Sequence, residues 1–125
     1  MIRRQLINFQ NRSVDVRVGL GAFDELSRMF ASAVGKPKRA MVVWNSASSE
    51  RFDEVVEHAL VDAGFAVSQF SLEVSPAGAT LADADAIFGA LSANGITCDD
   101  LVVAVGDAAT CSVVSWCANQ WCGRT

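Results

Sequence analysis

Two adjacent acids, Asp99 and Asp100, lead into the unbroken apolar run Leu101-Val102-Val103-Ala104-Val105. The run stops at Gly106, followed by Asp107, Ala108 and Ala109. Five consecutive residues of buried type have no polar face to show to water. They suit a central parallel strand with helices on both sides of its sheet. A glycine at the carboxyl end of such a strand lets the backbone turn sharply into the next helix. Open α/β sheets place ligands at that rim, often with an anion at a helix N-terminus. This segment therefore predicts both an architecture and the location of a site.

The rest of the chain repeats the alternation. Gln5–Gln10 and Val14–Val18 read as two short strands joined by the turn residues Asn11-Arg12-Ser13, which predicts an amino-terminal hairpin. Val14, Val16 and Val18 alternate with Asp15 and Arg17, the period of a half-exposed strand. Gly19-Leu20-Gly21 breaks the pattern, and Ala22–Ala33 carries Leu26, Met29 and Phe30 at helical spacing. Arg39–Trp44 reads as a buried strand. Glu50–Ala63 reads as a helix capped by Ser48 or Ser49 and closed by Gly64. Ala66–Leu72 alternates apolar residues with Ser68, Gln69 and Ser71, as a strand near a sheet edge does. Leu81–Ala93 and Ala109–Trp121 complete the helices. A hairpin followed by alternating helices and strands predicts an α/β, Rossmann-like three-layer domain with a mostly parallel sheet. The 125 residues fit one such domain, spanning 1–125.

Composition narrows the partners. The net charge is -4, and the basic clusters Arg3-Arg4 and Lys36-Pro37-Lys38-Arg39 read as solvated surface, which argues against nucleic acid. No stretch approaches the roughly 20 apolar residues of a membrane helix, so no membrane association is expected. No apolar leader core follows Met1-Ile2-Arg3-Arg4. Cys98, Cys111, Cys117 and Cys122 form no Cys-x-x-Cys pair, so they read as reduced core thiols of a cytoplasmic protein rather than zinc ligands or a disulfide framework. His58 is the only histidine and reads as a helix surface residue.

In this order the residues resemble the 3-dehydroquinate synthase family. Arg12-Ser13-Val14-Asp15-Val16-Arg17-Val18-Gly19-Leu20-Gly21 is similar to that family's opening hairpin and glycine turn. Val42-Val43-Trp44-Asn45 is similar to its second nucleotide-binding strand. Pro76-Ala77-Gly78 falls at its Pro-x-Gly-Glu loop. Asn94-Gly95 through Gly106 resembles the segment running into its triple-glycine NAD loop. The likeness covers nearly the whole chain, but only the amino-terminal half of such an enzyme.

The resemblance implies an NAD-binding domain. The family's helical carboxy-terminal domain, with its Glu and two His ligands for a divalent metal, has no counterpart in the sequence. The parent chemistry is the shikimate-pathway cyclisation of a seven-carbon sugar phosphate with loss of phosphate. This half alone is expected to supply no catalytic residue. The implied cofactor contacts are Asn45 to the adenosine ribose, Gly78 in the Pro-x-Gly loop, Gly106 at the turn, and the N–H groups of Asp107 and Ala108 at the pyrophosphate. The copy departs from the family where Gly106-Asp107-Ala108 replaces three glycines, and where Ala79 replaces the loop Glu with no Lys following. A carboxylate beside phosphates is expected to weaken binding about ten- to hundredfold. Two other readings stay open: a non-catalytic interaction or regulatory module of the same descent, and half of a related sugar-phosphate cyclase. The expected partner is the carboxy-terminal domain, another chain, or a second copy of this one.

Overall fold

The computed structural model describes residues 2–9, 13–33, 39–47 and 52–121. It is a mixed α/β structure with two sheets. Strands β1 (Arg3–Asn8) and β2 (Ser13–Val18) form an antiparallel ribbon, in register from Arg3 opposite Val18 to Asn8 opposite Ser13. After a single 3-10 turn (Ala22–Glu25) come α1 (Leu26–Ala33), β3 (Arg39–Asn45), α2 (Phe52–Asp62), β4 (Ala66–Leu72), α3 (Leu81–Ala93), β5 (Leu101–Val105) and α4 (Ala108–Trp121). Strands β4, β3 and β5 pair in that order, all parallel.

Each strand of the second sheet sends alternate side chains to opposite faces, and a separate cluster forms on each. Met41, Val43 and Val102 pack against Ile87 and Leu91 of α3 and Val113, Val114 and Cys117 of α4. Ala40, Val42 and Leu101 pack on the other face against Val56 and Leu60 of α2, with Leu26 and Phe30 of α1 at the margin. The sheet is therefore covered on both sides, by α1 and α2 below and by α3 and α4 above.

Local chemistry sets the boundaries. Gly64, at φ +96°, ends α2 in a left-handed turn that a side chain would resist. The next N–H, of Phe65, then reaches back to the Leu60 carbonyl at 3.0 Å. Helix α3 opens on a reciprocal cap: the Asp83 N–H donates to Thr80 Oγ1 at 3.3 Å, and the Thr80 N–H donates to Asp83 Oδ2 at 2.8 Å. Asp100 is buried ahead of β5. Its carboxylate accepts the Thr97 N–H at 2.8 Å and the Arg39 N–H at 3.3 Å, so one acid ties the starts of β5 and β3 together.

Several sequence expectations need correction. The run Leu101–Val105 is not central: β3 holds that place, and β5 has β3 as its one strand partner among the described residues. An apolar run responds to cover on both faces, not to the number of strand neighbours. Strand β1 spans Arg3–Asn8, not Gln5–Gln10, and Gln10 lies outside the described residues. The expected helix over Ala22–Ala33 divides into the 3-10 turn and α1. The Ser48 and Ser49 caps lie outside the described residues, as do Lys36, Pro37, Lys38 and Cys122. Cys98 is exposed rather than in the core, because it sits in the turn before β5; Cys117 is buried as expected. No helix among the described residues is long and apolar enough to cross a membrane.

Candidate functional site

The strand order creates one topological break. From β3 the chain passes through α2 to β4 on one flank, then returns through α3 to β5 on the opposite flank. The connections leaving β3 and β5 thus enter helices on opposite faces, and the carboxyl ends of these two strands diverge. Ligands of open α/β sheets bind at such points. A crevice of about 350 Å³ lies there, lined by Asn45 and Ala47 after β3, Phe52 of α2, Val74 and Pro76 after β4, and Val105, Gly106 and Asp107 after β5.

Asn45 ends β3 and is buried. Its Nδ2 donates to the Val74 carbonyl at 3.1 Å and to Thr110 Oγ1 at 3.3 Å, and its Oδ1 accepts the Ala47 N–H at 3.0 Å. Both amide protons are thus committed, and among the described residues Oδ1 has one donor, leaving one lone pair. The side chain holds the three segments that wall the crevice.

Gly106 adopts φ +154°, and a Cβ there would stand 3.1 Å from Thr110 Cβ. The glycine serves close packing of the turn against the first turn of α4. Asp107 follows as the cap of α4. Its Oδ1 accepts the Thr110 N–H at 3.0 Å and the Thr110 hydroxyl at 2.7 Å. These bonds, the hydroxyl first and the backbone second, hold its carboxyl below the usual carboxylate range. The helix N-terminus, an anion site in principle, already carries the chain's own carboxylate.

Of the five expected cofactor contacts, Asn45, Gly106 and Asp107 come together in the crevice. Gly78 and Ala108 line an adjoining groove of about 680 Å³ between the starts of α3 and α4, and Pro76 borders both spaces. Sequence reasoning missed Thr110, which is fully buried and bonded to both Asn45 and Asp107. Its signal was present: an acid three residues ahead of a hydroxyl, at the start of a helix, is the spacing of an N-cap and its N3 partner.

Other reactive groups lie elsewhere. His58 is exposed on α2. Among the described residues no cluster of three or more His, Cys, Asp or Glu side chains is placed to hold a metal. Burial, and after it the Asp107 charge, pushes the Cys111 thiol above its ordinary pKa; burial alone does so for Cys117. Trp116 and Trp121 of α4 each stand 6.1 Å from the Phe88 ring of α3, and Trp121 Nε1 donates to the Ile96 carbonyl at 2.8 Å. Compared with known families and with curated proteins, the chain matches no family model and no curated protein.

Proposed function

We propose that this chain is a Rossmann-like nucleotide-binding domain, the amino-terminal, cofactor-side half of a 3-dehydroquinate synthase-like protein, and that it is not catalytic alone. The observation that carries the reading is the crevice at the diverging carboxyl ends of β3 and β5, with Asn45 and Gly106 on its rim. In this reading the remaining Oδ1 lone pair of Asn45 accepts a ribose hydroxyl, while the N–H groups of Asp107 and Ala108 and the Gly78 loop face the rest of an NAD molecule. The carboxy-terminal domain, another chain or a second copy would close the cleft and bring the metal and the reacting groups. Reduced thiols fit a cytoplasmic setting.

The reading of the same domain as a non-catalytic module is favoured by one specific feature, the Asp107 carboxylate at the corner where a pyrophosphate would lie. Titration with adenosine and with NAD, followed by amide NMR shifts, separates the readings. Nucleotide binding predicts shifts concentrated at Asn45, Ala47, Phe52 and Gly106 at millimolar ligand. A spectrum that stays unchanged with both ligands retires the nucleotide reading and leaves the non-catalytic module.

A further inference from the structure

We infer that Asp107 sets the ligand class of this crevice, making it selective for an uncharged nucleoside over its diphosphate. The inference rests on the nucleotide reading of the crevice and adds to it the charge the site accepts.

Three observations carry it. First, Asp107 is part of the crevice wall, and the lining among the described residues includes no Lys or Arg. A diphosphate placed there meets the like charge of the Asp107 carboxylate. Second, two donors at the start of α4 are spent internally. The Thr110 N–H and hydroxyl both go to Asp107 Oδ1, at 3.0 Å and 2.7 Å. Third, the space left by the missing side chain of Gly106 does not open toward a ligand. It is filled by Thr110, whose Cβ, Cγ2 and Oγ1 would lie 3.1–3.2 Å from a Cβ at that position. A phosphate-binding turn keeps such space for close backbone approach. The remaining walls suit a neutral, flat, hydroxylated molecule. Phe52, Val74, Pro76 and Val105 offer apolar surface, and among the described residues Asn45 Oδ1 has a single donor, Ala47, which leaves one lone pair for a hydroxyl.

The test titrates the full chain with adenosine and with ADP, without divalent cations, by calorimetry or NMR. Wild type binds adenosine about tenfold or more tightly than ADP. Asp107→Asn removes the charge and keeps a good helix cap, so the fold is retained; Asp107→Ser provides a second neutral cap. In both variants ADP affinity rises about tenfold relative to adenosine affinity. Added salt strengthens ADP binding to wild type by screening the repulsion, and it does not do so in the variants. An ADP-to-adenosine ratio unchanged by both substitutions overturns the inference, as does wild type binding ADP as well as adenosine. If adenosine binds wild type in that case, the crevice remains a nucleoside site and only the role of Asp107 is lost. If neither ligand binds any of the proteins, the reading of the crevice falls with it.

Discussion

The two flanks of the parallel sheet solve the problem of an exposed strand edge in opposite ways. Strand β4 alternates apolar and polar residues, and its exposed Gln69 donates from Nε2 to Glu57 Oε2 of α2 at 2.8 Å. Polar side chains of this kind blunt an edge against further pairing. Strand β5 carries none. Leu101, Val102, Val103 and Ala104 line a groove of about 380 Å³ whose walls are Met29 and Phe30 of α1 and Cys111 and Ser115 of α4. Here the edge is shielded by the helices on either face. The contrast teaches that an apolar run along a strand reports how its faces are covered. It does not report how many strands flank it.

The largest expected effect comes from placing charge on each flank. Val102 is buried between α3 and α4, so Val102→Asp leaves an unpaired carboxylate in the core. We expect a loss of about 3 kcal/mol or more, enough to unfold a small domain. Gln69→Lys on β4 faces water, keeps a donor toward Glu57 and stays within about 0.5 kcal/mol of wild type. Urea denaturation of both variants measures the difference. Comparable midpoints would show that the two edges are equally tolerant and would remove the contrast.

The same contrast explains what was legible in the sequence. The spans Ala66–Leu72, Leu81–Ala93 and Leu101–Val105 match the observed elements because local punctuation bounds them: Gly64, Pro76, Gly95 and Gly106 each interrupt a clear periodicity. The polar alternation of β4 correctly announced an edge. The apolar run of β5 was read as central because burial by two helix layers leaves the same imprint as burial between strands. The division of Ala22–Ala33 was hidden because Phe23 lies against Phe52, ring centroids 5.2 Å apart, a contact that local sequence does not specify. At the site, Asn45 and Gly106 could be placed from strand ends. The use of both Asn45 amide protons by Val74 and Thr110 depends on segments 29 and 65 residues away. Thr110 itself was visible only as a cap spacing.

The exits of the two flanking strands give a second, smaller difference. Strand β5 leaves through Gly106, at φ +154° and packed on Thr110. Gly106→Ala must strain the backbone or push α4 away, at an expected cost of about 1–3 kcal/mol. Strand β4 leaves through Glu73, which is exposed. Glu73→Ala should therefore stay within about 0.5 kcal/mol. Thermal melts read both. A Gly106→Ala protein as stable as wild type would mean that the turn after β5 is no more constrained than the turn after β4.

The smallest effect is confined to acid and belongs to the β5 exit. Hydrogen bonds from the Thr110 hydroxyl, and then from its backbone N–H, hold the Asp107 carboxyl below its ordinary range. A group whose folded pKa is depressed contributes stability above its unfolded pKa, near 3.9 for Asp, and loses it as pH falls through the folded value. Wild type should therefore show a stability difference from Asp107→Asn that is constant from neutral pH down to about 5 and changes below about 4. The sign follows from the cap: protonation removes the charge that strengthens the bonds from Thr110, while Asn is unchanged, so wild type loses ground to the variant as acid is added. The cap is solvent-exposed, so the change should be modest beside that of Gly106→Ala. Melting curves of the pair at stepwise lower pH check it. Parallel curves down to pH 2 would mean that Thr110 does not prefer the ionised carboxylate, and the charge at the mouth of the crevice would then have to be explained without the cap.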